Sequence, residues 1–342
     1  MLGSLTTILV GLLVFSFLVV VHELGHFLAA KKFGVPVKDF AIGFGPALYK
    51  KQIGETEYRL NAIPLGGYVR MEGEDEAGYF NSMAVWKRMT VVAAGPIFNL
   101  IAAVLVFAFV FAAFGSLTIS TQVQSIVKGS PAAQVLQAKD ELIKIGNTKI
   151  QNPDDVVKAV QATKGEKTPV IYRRNGQENT TYITPTKNDN RWQLGIQLQY
   201  LQDFRPPRAN PIQAIAMGTQ QTWDMTKEVF KFFGDAFSGK KEALSNVGGP
   251  ILIIKTTGFL AKTNLVMLVY FTAALSVNLG LINLLPFPAL DGGRLLLMIV
   301  ESIRGKALDI EKEAMIHAIG FALLLLLMVV VTVNDVSRVF MR

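Results

Sequence analysis

The 342-residue chain reads as a polytopic α-helical membrane protein: four transmembrane helices, a membrane-associated β-hairpin and one extracytoplasmic α+β domain. Three observations predict this. Hydrophobic residues make up 51% of the chain and fall in four long blocks, near 5–29, 91–115, 264–285 and 314–333. Each approaches the ~20 apolar residues that cross a bilayer. A stretch of soluble composition, 119–205, separates the second block from the third. A β-rich segment broken by Pro64 and Gly66-Gly67 lies between the first and second. The expected organisation is 1–118, 119–205, 206–262 (amphipathic linker helices) and 263–342.

The composition narrows the chemistry. There is no cysteine, which excludes disulfides and thiolate ligands. The histidines are three: His22, His26 and His317. The net charge of +8 is not a nucleic-acid signal, because no Lys/Arg stripe is interleaved with aromatics. It sets topology instead. Nine Lys/Arg fall in 31–90 and four in 289–313, which marks those loops as cytoplasmic. Both termini and the polar domain are then expected outside. The first block lacks a charged leader and is expected to stay uncleaved.

That first block carries His22-Glu23-Leu24-Gly25-His26. On a helix this spacing puts two imidazoles on one face, fit to hold zinc, with a glutamate beside them to deprotonate a water. Ionisable groups at membrane depth are costly and mark a functional site.

Next, Gly43-Phe44-Gly45-Pro46 breaks helix, and Thr56 to Met71 reads as a hairpin or bent strand pair about Pro64 and Gly66-Gly67. Ile63, Leu65 and Tyr68 suggest that it dips toward the membrane; a surface hairpin is the competing reading. The acidic run Glu72, Glu74, Asp75, Glu76 reads as a solvated loop. In the second span, Gly95 permits close helix approach, and Asn99 reads as a packing hydrogen bond that supports the site.

The polar domain opens with the alternating strand 121–127. A short helix follows, with Ser130 as N-cap and Pro131 at its first position. A hairpin turns at Gly146-Asn147, 153–162 is helical, and a second hairpin turns at Asn175-Gly176. This order resembles a PDZ domain of the circularly permuted bacterial type, with Leu194-Gly195-Ile196 at the place of the carboxylate-binding loop. Lys139 stands where a glycine is usual. The domain is expected either to bind a peptide C-terminus or to act as a spacer or size filter. Pro206-Pro207 and Pro211 mark a linker. Beyond them Ile212, Ile215, Trp223, Phe230, Phe233 and Phe237 form a helical stripe for the outer membrane interface.

The third span runs into Asn283-Leu284-Leu285-Pro286-Phe287-Pro288-Ala289-Leu290-Asp291-Gly292-Gly293. Pro286 and Pro288 stop the helix and hold an extended turn. Asp291 alone would read as an N-cap for a helix from Gly292 to about Ser302. A catalytic zinc wants three protein ligands and an open position, which makes Asp291 the third candidate beside His22 and His26. His317, in the fourth block, is its rival and reads as a packing or interfacial histidine. Glu23 would be the general base, and Asn283 the donor to an oxyanion or to substrate backbone.

Taken together, His22-Glu23-Leu24-Gly25-His26, Gly95-x-x-x-Asn99 and Asn283-x-x-Pro286-x-Pro288-x-Leu290-Asp291-Gly292 resemble the bacterial site-2 protease family of RseP-like intramembrane zinc metalloproteases. Gly43-Phe44-Gly45 and Gly66-Gly67-Tyr68 extend the likeness over nearly the whole chain. One PDZ-like domain stands where longer members have two. The resemblance implies a Zn2+ cofactor and transmembrane protein substrates, such as anti-sigma factors or signal-peptide remnants. It implies substrate binding at Gly66, Gly67, Tyr68 and Asn278, a multi-pass location in the bacterial inner membrane, and an active site toward the cytoplasm. A metal transporter with the same ligands, or a catalytically dead scaffold, would be the other classes; Glu23 argues against the second.

Overall fold

A computed structural model describes residues 2–74, 78–150, 153–188, 191–205, 208–239, 248–307 and 309–340. The expectations at Asp75-Glu76 and Pro206-Pro207 fall outside these. Two compact units emerge: 1–113 with 209–342, and 114–208.

The larger unit holds four helices long and apolar enough to cross a membrane: α1 (Leu2–Lys32), α3 (Val85–Phe114), α7 (Leu265–Asn283) and α9 (Ile310–Phe340). They pack through small residues. A side chain on Gly25 would press into α3, 2.8 Å from the Ala94 carbonyl carbon and 2.9 Å from Gly95 Cα. A side chain on Gly280 of α7 would stand 2.8 Å from the Pro96 carbonyl oxygen of α3. Where lipid gives helices no hydrophobic reason to associate, such close backbone contact holds a bundle together.

The expected hairpin needs correction. Residues 56–61 and 67–71 do not pair with each other. Both belong to β2 (Thr56–Met71), and a strand the sequence reading missed, β1 (Val37–Ile53), runs between them. Asp39 to Ile42 pair with 57–60 on one side and 67–70 on the other, while residues 49–53 pair with 56–60. Two bent strands thus make four arms, and 67–71 is an edge. The bends are glycine positions: Gly43, Gly45 and Gly66 have positive φ (83°, 85° and 94°), which L side chains resist. The sheet lies along α1. Ser16 donates to the Pro64 carbonyl at 3.0 Å, and Gly67 faces Val19 and Glu23.

Between the sheet and α7 run α2 (Tyr79–Ser82), α5 (Pro211–Phe237) and α6 (Pro250–Thr263). Helix α5 starts with a full capping box, Asn210 with Gln213. It packs Gly218 against Val104 and Ala108 of α3, leaving Ile212, Ile215, Trp223 and Phe230 exposed. Helix α6 packs on α1 at Gly258 and Thr7. The buried Asp335 of α9 accepts from its N-terminal amides, Gly249 N at 3.0 Å and Leu252 N at 3.1 Å.

In the smaller unit a sheet of order β10-β3-β4-β6-β7 packs around Val123, Leu142, Ile145, Val170 and Tyr172. Its elements are β3 (Ser116–Ile126), β4 (Glu141–Ile145), β5 (Thr148–Lys149), α4 (Pro153–Ala162), β6 (Thr168–Arg174), β7 (Gln177–Ile183) and β10 (Ile196–Arg205). A separate pair, β8 (Thr186–Asn188) and β9 (Arg191–Gln193), precedes β10. Strand β10 was not read from sequence. Ser130 takes the expected N-cap position with Pro131 after it, but its hydroxyl makes no cap hydrogen bond and donates instead to the Gly195 carbonyl at 3.2 Å. Lys139 takes the left-handed backbone, φ 76°, that its usual glycine would favour. Next to it, Asp140 is buried and binds Arg174 through two 2.7 Å hydrogen bonds, which hold the guanidinium pKa above its ordinary value.

Candidate metal centre

Three elements meet at one point. Helix α1 supplies His22 and His26 one turn apart, both 8% exposed. The third group comes from α8 (Asp291–Arg304). This helix begins at Asp291 with no side-chain cap, so the Asp291 carboxylate is not spent as an N-cap. The glycines after it let the first turn of α8 close on the preceding loop. A side chain on Gly293 would stand 2.8 Å from the Phe287 carbonyl carbon and 3.0 Å from Pro288 Cα, and one on Gly292 would strike Leu284 and Leu285. Pro286 and Pro288 therefore sit in the turn that aims Asp291 at α1.

His22 Nε2 lies 3.0 Å from Asp291 Oδ2, His26 Nε2 lies 3.4 Å from it, and the two Nε2 atoms are 3.2 Å apart. Asp291 Oδ2 is buried with no hydrogen-bond donor aligned on it. Ligands about 2.0–2.2 Å from a tetrahedral zinc lie some 3.3–3.6 Å from one another. The three atoms nearly match that triangle, and His22, His26 and Asp291 form the candidate metal group among the described residues.

Helix α3 fixes both imidazoles. His26 Nδ1 donates to the Val91 carbonyl at 2.9 Å, which leaves the Nε2 lone pair for the triangle. The Nε2 end of the His26 ring packs on Gly95, where a Cβ would meet Nε2 first and stand 2.6 Å from Cε1 and 2.8 Å from Cδ2. Four residues on, Asn99 is fully buried, with its amide nitrogen 3.1 Å from His22 Nδ1 and its Oδ1 without a partner. The two ends of an amide have the same shape. Exchanged, Oδ1 accepts from Nδ1–H and the His22 Nε2 lone pair also faces the triangle. Gly95 and Asn99 thus stand opposite His26 and His22, four residues apart on each helix.

A cavity of about 150 Å³ opens on this triangle, lined by Glu23, Tyr68, Val69, Met71, Glu74, Val92 and Arg294 besides His22, His26 and Asp291. Glu23 faces it from the next position on α1. Tyr68 faces it from the edge arm of β2, and a Cβ added to Gly67 would stand 3.4 Å from Glu23 Cγ. Gly66 turns under the Phe44 ring. Glu74, expected as a solvated loop residue, instead pairs with Arg294 of α8 and lines the cavity. Arg294 lies three residues after Asp291, one helical turn on, a spacing that marks it as a neighbour in sequence. Asn278 and Asn283 are half-buried on α7 and do not line the cavity. His317 is not in the triangle either: its Nδ1 accepts from Ala289 N at 2.9 Å.

The profile of peptidase family M50 matches residues 10–327. The chain belongs to peptidase family M50. Among relatives, a protein of Clostridium acetobutylicum provisionally named a zinc metalloprotease is 37% identical over 97% of this chain and 98% of its own length. The regulator of sigma-W protease RasP of Bacillus subtilis is 30% identical over 98% of this chain and 99% of its own. The zinc metalloprotease RasP of Geobacillus kaustophilus is 29% identical over the full length of both. A solved PDZ domain of an SdrC-like protein from Listeria monocytogenes aligns with 23% of the chain and 85% of that domain, at 21% identity and a TM-score of 0.22. Membership of M50 places the chain among site-2-type zinc metalloproteases, with zinc as cofactor.

Proposed function

We propose that this M50 member hydrolyses peptide bonds within or near the transmembrane segments of single-span membrane proteins. The observation that carries the reading is the convergence of His22 Nε2, His26 Nε2 and Asp291 Oδ2 within 3.4 Å, on helices apolar enough to span a bilayer.

His22, His26 and Asp291 would hold the zinc, which when bound supplies Lewis acidity toward a water and the scissile carbonyl. Glu23 takes the proton of the attacking water as general base and hands it to the leaving amine nitrogen. Asn99 and the Val91 carbonyl hold both imidazoles in the ligating tautomer. Tyr68 and Arg294 are the cavity donors placed to meet a developing oxyanion. Asn283 and Asn278 are assigned to substrate backbone outside the cavity.

A helical substrate segment must unwind before cleavage, because in lipid its backbone groups are all satisfied internally. The edge arm 67–71 beside the cavity would replace those hydrogen bonds by adding the substrate as a strand. The exposed apolar side chains of the sheet, Phe44, Leu48, Tyr49, Leu60 and Ile63, fit a place at membrane depth. The Lys/Arg distribution supports a catalytic end toward the cytoplasm and a PDZ-like unit outside. There it would filter out substrates that still carry a bulky ectodomain, or bind a peptide C-terminus. The mention of sigma-W regulation in the name of the Bacillus relative favours anti-sigma factors as the substrate class; signal-peptide remnants rest on the family resemblance alone.

The test is Glu23→Gln in purified protein with a single-span substrate. It should retain one zinc and lose cleavage. Cleavage at the wild-type rate would remove Glu23 from the mechanism.

A further inference from the structure

Two residues before Asp291, the chain makes an expensive turn. Ala289 has φ 73°, a left-handed backbone without the glycine or asparagine that usually takes it. Such a conformation persists only where the surroundings hold it. Part of the hold is local, since Leu290 N donates to the Phe287 carbonyl at 3.1 Å across the turn; the rest comes from α9. His317 Nδ1 accepts the Ala289 amide at 2.9 Å. Three residues on, the same face of α9 carries Gly320, where a Cβ would stand 2.5 Å from the Pro288 carbonyl oxygen and 2.6 Å from its carbon. Helix α9 thus offers a saddle, one acceptor and one missing side chain, to Pro288-Ala289.

We infer that His317 is a positioning residue: by holding Ala289 in the left-handed turn it fixes where the Asp291 carboxylate meets the two imidazoles. The inference rests on Asp291 being the third metal ligand. His317 has no ring nitrogen to give to the metal. Its Nδ1 is taken by the Ala289 N–H. Its Nε2 therefore carries the proton and is buried, with Glu313 Oε1 4.0 Å away, while the side chain lines a second cavity of about 160 Å³. Without the acceptor, Ala289 relaxes toward negative φ and rotates the peptide planes that lead into Asp291. The glycines at 292 and 293 pack too closely on 284–288 to absorb that rotation. Groups hydrogen-bonded directly to a ligand cost about 10–100-fold in metal affinity when lost; this contact acts on Asp291 through the backbone one step further out, so the low end of that range applies.

The experiment compares zinc dissociation constants of the full-length, detergent-solubilised protein by chelator competition. His317→Phe keeps the ring and removes the acceptor; zinc binding should weaken about tenfold or more. His317→Asn puts Oδ1 where Nδ1 stood and should stay within about threefold. Ala289→Gly added to His317→Phe should recover most of the loss, since glycine holds positive φ unaided. In zinc-free protein the Ala289 amide should be protected from hydrogen exchange in wild type and in His317→Asn, and unprotected in His317→Phe. If His317→Phe does not accumulate, His317→Gln, whose oxygen sits one bond too far out, replaces it in the comparison with His317→Asn. Wild-type affinity in both Phe and Gln variants, while Asp291→Ala loses zinc, overturns the inference and leaves the ligand assignment standing. Wild-type affinity in Asp291→Ala overturns the ligand assignment, and the inference with it. Loss in the Phe variant that neither Asn at 317 nor Gly at 289 repairs means a general packing role and also overturns it.

Discussion

Replacing Gly95 by alanine tests how tightly α3 supports the metal triangle. The new Cβ would stand 2.6 and 2.8 Å from His26 Cε1 and Cδ2, against a comfortable carbon–carbon distance of about 3.5–4.0 Å. Roughly an ångström must be found. The ring cannot retreat freely, because Nδ1 is tied to Val91 at 2.9 Å. Helix α3 cannot retreat either without breaking the glycine contact between Gly25 and Ala94-Gly95. Overpacking of this kind costs about 1–3 kcal/mol. A shift of His26 Nε2 by about an ångström is half a zinc–nitrogen bond. Zinc affinity should fall about 10–100-fold, equivalent to ~1.4–2.8 kcal/mol. Chelator competition on purified Gly95→Ala measures it, alongside cleavage at saturating zinc. Gly234→Ala is the control: nothing lies within 4 Å of the Cβ it would add to α5, and it should leave zinc binding untouched. Wild-type affinity and turnover in Gly95→Ala would refute the claim that α3 presses His26 into place.

Other contacts make separable predictions. Asn99→Ala frees His22 Nδ1 and should weaken zinc binding about 10–100-fold; an unchanged chelator titration would rule out its orienting role. Asp335→Ala removes the acceptor at the start of α6. It should lower stability by about 1–2 kcal/mol in thermal unfolding while zinc stoichiometry stays at one; an unaltered melting curve would show the cap to be idle. Arg88→Ala leaves Glu301, 2.5 Å from the guanidinium in wild type, in a mostly buried place without its partner, at a cost of about 3–5 kcal/mol. An Arg88→Met/Glu301→Leu pair should unfold at a higher temperature than that single variant.

Much of this architecture is legible in the residues. An apolar run interrupted only by His22, Glu23 and His26 signals both span and site, since no other role would keep three ionisable groups there. The four apolar helices and the hairpins at Gly146-Asn147 and Asn175-Gly176 follow from hydropathy and turn chemistry. What escapes is what depends on distant partners. Strand β1 was hidden because Gly43-Phe44-Gly45-Pro46 looks like a simple break; in the fold it is a bend whose glycines let one strand serve two arms of β2. Strand β10 was overlooked although Ile196, Leu198 and Tyr200 alternate. Glu74 looked solvated because its partner, Arg294, lies 220 residues away. Asp291 and an ordinary N-cap look alike in sequence, and only the start of α8 at Asp291 itself shows the carboxylate to be free. His317 could be weighed as ligand or packing, but its role as acceptor for Ala289 needed the left-handed turn to be seen.

The central claim is that two imidazoles of α1 and the carboxylate at the head of α8 share one zinc. Zinc-edge X-ray absorption on the purified full-length protein measures this directly. The account predicts nitrogen and oxygen neighbours at about 2.0–2.2 Å, two of them imidazole, and loss of the bound metal or of one oxygen neighbour in Asp291→Ala. A first shell identical in wild type and Asp291→Ala, or one without paired imidazoles, would contradict it.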